Sequence, residues 1–296
     1  MKTALLLAAA LLGAAPAEAK VRVVATLPTL AAIVSEVGGD RVDVEALASP
    51  GEDPHHVDPR PNLIVKLNRA DLLVVNGLDL EAGWLPPVQA SARNGAIQTG
   101  GRGWMDASAS VRRLEVPTRV DRAAGDIHAG GNPHFLFDAR AAAAVANAVA
   151  AKLAEMDPAH AGEFAGRAAA VTSGLEAVAA EARARVGRLP ADRRKVVSYH
   201  RSFFYLYEWL GLEEVATVEP RPGIPPDPGH VSSVLGRMKA TSTRVIVQED
   251  FYPRKTGETL ARLASGEVVV VPAAPRESVA AYYRRLAGEV IDALSR

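Results

Sequence analysis

Strand-sized apolar runs alternate with helix-sized amphipathic runs in both halves of the chain. That order predicts an α/β protein: two lobes with parallel sheets covered by helices, joined by one long linking helix. Two further observations support it. The middle of the chain is dense in Ala, Glu and Arg, the strong helix formers, over a stretch far longer than one crossover helix. Aromatic residues are only 5% of the 296, which argues against an all-β sandwich. At roughly 100–200 residues per domain, the length allows two separate cores.

The elements follow in order. Val21–Leu27 reads as a strand, and a helix over Thr29–Val37 stops at Gly38-Gly39. Val42–Leu47 is the next strand, trailed by the polar, Pro-rich loop Ser49–Pro61. A helix over Pro61–Arg69, opened by Pro in its first turn, leads to the strand Asp71–Asn76. Leu80–Arg93 reads as helix around Pro86-Pro87, and Ala96–Thr99 as a short strand. Gly100–Pro133 has many Gly, scattered charges and no period, so it reads as surface loop with some strand. Helix then runs through Ala139–Met156 and Pro158–Val186, broken at Asp157-Pro158 because Pro is tolerated only at a helix start. The second part spans about 40 Å at 1.5 Å per residue. The strands Lys195–Tyr199, Glu214–Val218, Thr243–Gln248 and Glu267–Val271 then alternate with helices at Ser202–Leu210, Val231–Ala240, Lys255–Ala264 and Ser278–Leu294.

The first segment reads as an address. Lys2 precedes an apolar core over Ala4–Ala15, too short for a membrane span, and Ala17-Glu18-Ala19 matches the small-x-small cleavage pattern. Residues 1–19 are therefore expected to be a signal peptide cleaved after Ala19, releasing a periplasmic chain without a membrane span. The expected organisation is an N-terminal lobe over 20–157, a linking helix over 158–188 and a C-terminal lobe over 189–296. With 34 Lys+Arg against 34 Asp+Glu and no basic cluster interleaved with aromatics, the sequence makes no electrostatic bid for nucleic acid. It has no Cys, which removes disulfides, thiolate metal sites, a cysteine nucleophile and acylation of an N-terminal Cys. No G-x-S-x-G elbow, Walker A loop or G-x-G-x-x-G after the first strand is present.

What remains is imidazole and carboxylate. His55 and His56 lie in the loop after the second strand, His134 just before the long helical region and His200 at the end of the strand Lys195–Tyr199. Glu249 and Asp250 end the strand Thr243–Gln248. Ligands of open α/β sheets sit beyond the carboxyl ends of strands, and three neutral imidazoles with a carboxylate make a sound set for Zn²⁺. The candidates lie too far apart in sequence for spacing to decide, so ligands and ordinary surface or capping histidines both stay open on residues alone. His230 reads as opening a helix and His160 as surface.

Several stretches resemble the cluster A-I family, the substrate-binding proteins of zinc and manganese ABC importers. They are Ala25-Thr26-Leu27-Pro28, Asp53-Pro54-His55-His56-Val57-Asp58-Pro59-Arg60-Pro61 and the run from Ala70-Asp71-Leu72 to Asp79-Leu80-Glu81. Asn132-Pro133-His134-Phe135-Leu136-Phe137-Asp138 and Ser198-Tyr199-His200-Arg201-Ser202-Phe203 follow in the same order. The resemblance implies two lobes joined by one long helix, with a metal buried between them on His55, His134 and His200. It also implies an ABC permease as partner; the chain is expected to be a monomer, and three imidazoles favour zinc ahead of manganese or iron. The family's fourth ligand, an Asp after the last strand, is missing, because this chain reads Pro272-Ala273-Ala274-Pro275 there. Glu249 is the expected replacement, with Asp250 or a water as alternatives. A water in that position would fit an exported zinc-dependent hydrolase with an open three-His site, in which Glu249 is the only candidate base. A lobed binder of some non-metal solute is the third reading.

Overall fold

A computed structural model of the chain describes residues 19–119 and 128–296. The expected signal peptide, Ala19 excepted, lies outside the described residues, as do Asp121 and Asp126 of the central loop. Two four-stranded, all-parallel sheets are present. The first contains β1 (Val21–Ala25), β2 (Val42–Ala46), β3 (Leu72–Val75) and β4 (Trp104–Asp106) in the order β2-β1-β3-β4. The second contains β5 (Lys195–Ser198), β6 (Glu213–Thr217), β7 (Val245–Glu249) and β8 (Glu267–Val271) in the order β6-β5-β7-β8. The two orders are the same. Each sheet turns from one winding direction to the other at its first strand, and that reversal opens a crevice at the carboxyl ends of β1 and β3, or of β5 and β7. The central strands are buried along their whole length, β3 as Leu-Leu-Val-Val and β7 as Val-Ile-Val-Gln-Glu, because helices cover both faces of a parallel sheet.

Helices α1 (Pro28–Gly38), α2 (Pro61–Arg69) and α3 (Leu85–Ser91) flank the first sheet. Helices α4 (Ala139–Met156) and α5 (Ala161–Gly187) follow, separated by a 3-10 turn at Pro158–His160 where the sequence places its break. In α5, Phe164, Ala168, Val171, Leu175, Val178, Ala182 and Val186 are buried at spacings of three or four, which is one face of a helix 27 residues long. The opposing stripe of α4 is largely Ala, so the two helix backbones approach closely. The second half adds α6 (Phe204–Leu210), α7 (Pro228–Ala240), α8 (Arg254–Leu263) and α9 (Val279–Ser295). Apolar residues of both sheets, including Val23, Val74, Val196 and Val245, join those of α4, α5 and α9 in one continuous core.

Three sequence expectations need correction. Ala96–Thr99 is not a strand: Asn94 caps a 3-10 turn over Gly95–Ile97 by accepting the Ala96 N–H. The fourth strand lies instead at Trp104–Asp106, inside the stretch read as surface loop with some strand, and three residues are too few to show a period that would place it. The helix expected from Leu80 starts at Leu85: turns that begin at positive φ of 53° and 63° on Leu78 and Asp79 run on to Trp84, whose φ of −135° is not helical. Pro86 and Pro87 then occupy its opening turn, where their missing N–H groups cost nothing.

Gly77 follows β3 with φ 86°, and a Cβ there would lie 2.0 Å from Asp106 Oδ1. Replacement of Gly77 by Ala is expected to lower stability by about 1–3 kcal/mol through backbone strain. Denaturant melts of the metal-free protein read this directly, and an unchanged midpoint would show that the turn relaxes freely.

Candidate metal centre

Three imidazoles meet where the two crevices face each other. Metal-binding atoms of His55, His134 and His200 all lie within 4.8 Å of one another. The ring centroids are 5.1 Å apart for His55 and His134, 5.4 Å for His55 and His200, and 5.2 Å for His134 and His200. Zn–N bonds near 2.0–2.1 Å in a tetrahedron put nitrogens about 3.4 Å apart, so small side-chain shifts bring these three onto one ion.

Each imidazole is aimed by its own loop. Asp53 Oδ1 accepts both the backbone N–H of His55 and its ring Nδ1–H, each at 2.9 Å. Trp84 Nε1 pins the same loop by donating to Pro54 O at 3.0 Å. With the proton held on Nδ1, His55 Nε2 carries the lone pair, and that atom is buried without a hydrogen-bond partner among the described residues. His200 repeats the device, with Nδ1 2.7 Å from Glu219 Oε2, a carboxylate just past β6 that also receives the Gly223 N–H. A carboxylate behind a ligating imidazole fixes tautomer and orientation and raises donor strength. His134 is positioned through its backbone: its N–H donates to Asn132 Oδ1 at 2.9 Å, and Asn76 Nδ2 holds the preceding Pro133 carbonyl at 3.0 Å. Burial holds the His134 imidazolium well below its usual range, and repulsion from His55, His200 and His128 adds to the effect. His134 is thus neutral at pH 7, as a ligand must be.

Glu249 ends β7, only 2% exposed, and lines one cavity with His134 and Asn76. Its Oε2 is buried without a partner. Burial pushes its carboxyl up to about 8, and the nearby Asp53 charge adds to this, against the opposing Ser202 hydroxyl and His55. It lies outside the group of atoms within 4.8 Å that the three imidazoles form. The start of α8 at Pro253 has no side-chain cap, so Glu249 is not spent there. Asp250 Oδ1 instead accepts the Ala273 N–H at 3.3 Å, holding the Pro272–Pro275 stretch where the family's Asp would stand.

Among the other histidines, His56 is exposed, while His128 stands 5.4 Å from the His55 ring. His230 lies in the first turn of α7, as the sequence suggests, with Nε2 3.0 Å from Thr217 O. The His160 side chain is partly buried, 13% exposed, and pairs with Asp157. Sequence reasoning missed Asp53 and Glu219. Asp53 was detectable two residues before His55, the offset at which an Asp side chain turns back on the backbone ahead of it. Glu219 had no local signal.

A model of the family described as zinc-uptake complex component A, periplasmic (ZnuA), matches residues 23–296. The chain belongs to this family. The iron-binding protein YfeA of Yersinia pestis is 29% identical to it over 225 residues, 74% of this chain and 67% of that protein. The manganese ABC transporter substrate-binding lipoprotein PsaA of Streptococcus pneumoniae is 25% identical over 244 residues, 80% of this chain and 75% of that protein. Among solved structures, a ZnuA deletion mutant with zinc bound superposes at a TM-score of 0.78 with 22% identity, covering 93% of this chain and 98% of its own. The binding protein FpvC of Pseudomonas aeruginosa in complex with Mn²⁺ gives 0.75 with 26% identity, covering 93% and 98%. This member of the ZnuA family is a metal-binding substrate-binding protein of an ABC transporter, not an enzyme. The zinc hydrolase finds no support in these comparisons. No helix among the described residues is long and apolar enough to cross a membrane.

Two predictions follow from this geometry. Asp53→Asn and Glu219→Gln are each expected to weaken metal binding about 10–100-fold, since each frees an imidazole to rotate or change tautomer. Calorimetric titration giving wild-type affinity for either would remove that residue from the site. The second concerns the metal-free protein, where folding holds the Glu249 proton up to about 8 against a usual value of 4.5. The folded state therefore binds more protons than the unfolded one between those values. This contribution to stability is fully present below pH ~4.5 and is lost as pH rises through ~8. Glu249→Gln should flatten that part of the stability–pH curve in chelator-treated protein, and curves that stay parallel would refute the assignment.

Proposed function

We propose that this protein carries zinc, bound by His55, His134, His200 and Glu249, to the membrane permease of an ABC importer. The observation that supports this best is the buried, unpartnered Nε2 of His55 facing His134 and His200, with Asp53 and Glu219 holding the outer protons of His55 and His200. Nitrogen-rich sites suit zinc, whereas manganese sites lean towards carboxylate oxygen. That argument favours zinc although relatives are named for iron and manganese as well. Three neutral imidazoles leave the ion's whole charge in a buried crevice, and one carboxylate offsets half of it. Glu249 is the carboxylate at hand, with a free oxygen in the same cavity as His134. In this reading residues 1–19 are removed after Ala19 on export to the periplasm. The monomer then works as lobes 20–157 and 189–296 about the helix 158–188.

Elemental analysis of purified protein is expected to find zinc, one per chain, and manganese in its place would overturn the choice of ion. Zinc binding at pH 7 should release about one proton, because Glu249 must ionise to bind. Calorimetry in buffers of different ionisation enthalpy measures this. Glu249→Gln should abolish the release and weaken zinc more than Asp250→Asn does; equal release in both would exclude Glu249 as a ligand.

A further inference from the structure

An ion-pair cluster sits on the lip of the metal crevice. Arg201 is the residue after His200 and belongs to the second sheet's half of the molecule; Glu115 belongs to the first. Arg201 is set by its own half, where Nη1 donates to Glu214 Oε2 at 2.7 Å and the guanidinium lies 5.2 Å from the Phe204 ring centroid. Glu214 is in turn held by the Ser198 hydroxyl at 2.6 Å. The remaining fork faces across the crevice: Nε donates to Glu115 Oε1 at 2.7 Å, and Nη2 donates to the same oxygen.

The pair connects to both imidazoles that bracket the opening. Asn132 Nδ2 donates to Glu115 Oε2 and to the carbonyl of Arg201, each at 2.9 Å. Asn132 Oδ1 accepts the N–H of His134. One asparagine thus joins the backbone of one metal-facing histidine to the carbonyl one residue beyond the other. Glu115 itself stands at φ 52°, a strained position for a side-chain residue. It is held there by neighbours: Leu114 N–H donates to Tyr205 Oη, and Leu114 O receives the Asn132 N–H, both at 2.9 Å. A surface cavity lined by Glu115, Asn132, His134, His200, Arg201 and Pro222 places this cluster at an entrance to the imidazoles.

We propose that Glu115 and Arg201 form a latch between the lobes that keeps His134 and His200 in register, and that its opening lets the metal leave. The proposal rests on the metal-carrier reading above. Both are positioning residues, acting on the metal only through Asn132 and the two histidine backbones. Two-pronged charged hydrogen bonds are stronger than single neutral ones, yet Arg201 is 43% exposed, so salt screens the pair. Glu208 supplies the contrast: it pairs with Arg112 and Arg140 across the same two halves, but it does not share the Asn132 side chain that ties Glu115 to the His134 backbone and the Arg201 carbonyl.

The test is metal transfer from the loaded full chain to excess chelator, followed by stopped flow with whichever of zinc or manganese binds one to one. Glu115→Gln is expected to speed dissociation roughly tenfold, about 1.4 kcal/mol. Wild-type dissociation should quicken with added salt, whereas the variant's should not. Glu208→Gln should lower the melting temperature and leave the rate at the wild-type value. A wild-type rate in Glu115→Gln, or an equal acceleration in Glu208→Gln, overturns the latch while leaving the carrier intact. If Glu115→Gln does not fold, a salt-independent wild-type rate overturns it alone. Failure of both metals to bind overturns the carrier reading and the latch with it.

Discussion

An imidazole can offer a lone pair inwards only if its proton is kept on the outward nitrogen, and the site depends on that constraint. Asp53 behind His55 and Glu219 behind His200 meet it with carboxylate hydrogen bonds at 2.9 and 2.7 Å. Each carboxylate is itself anchored in backbone, Asp53 by the His55 N–H and Glu219 by the Gly223 N–H. For His134, burial and then repulsion from the neighbouring histidines disfavour the charged form, which keeps the ring neutral. Three rings in contact can then share one buried crevice without three positive charges.

The fold makes that arrangement possible by using one strand order twice. Because both sheets reverse direction at their first strand, each presents a crevice at its carboxyl edge. Loops after β2 and β5 and the last residue of β7 converge there from points far apart in the chain, carrying His55, His200 and Glu249. His134 arrives from outside the sheets, in the segment leading into α4, and its place is set by Asn76 beyond β3 and by Asn132. A carboxyl group of Glu81, buried at the same edge, accepts the Asn76 and Gly77 N–H groups and the Thr26 hydroxyl, so the end of β3 is fastened before the site is built upon it.

Much of this was legible in the sequence, and what was not has a common cause. The strands at Val21, Lys195 and Glu267 and the helices at Pro61 and Ala139 announce themselves by local pattern and punctuation. His55, His134 and His200, which the structure brings together, stand out in the sequence by motif, and His55 and His200 also by their place after strands. The strand Trp104–Asp106 was hidden because three residues carry no period, while Ala96–Thr99 imitated a strand beside the Asn94-Gly95 turn. Glu219 and Glu115 were illegible because their roles exist only across the fold: one meets His200 from a Pro-rich loop, the other meets Arg201 from an aperiodic one. Sequence shows what a residue can do with its near neighbours, and both of these act on distant ones.

The continuous apolar spine along α5 carries a consequence for how heat acts on the molecule. Side chains from both sheets pack on the same helix, joined by α4 and α9, with no solvent layer dividing two separate interiors. Each half also keeps a smaller apolar cluster of its own, around Leu63 and Leu73 in one and Ile246 and Leu260 in the other, but the opposite face of each sheet is covered only by the shared core. Melting should therefore take the whole chain in one cooperative step, despite a silhouette of two lobes. The same shared interior ties the halves together along α5, so an opening of the crevice costs least where it leaves that core intact.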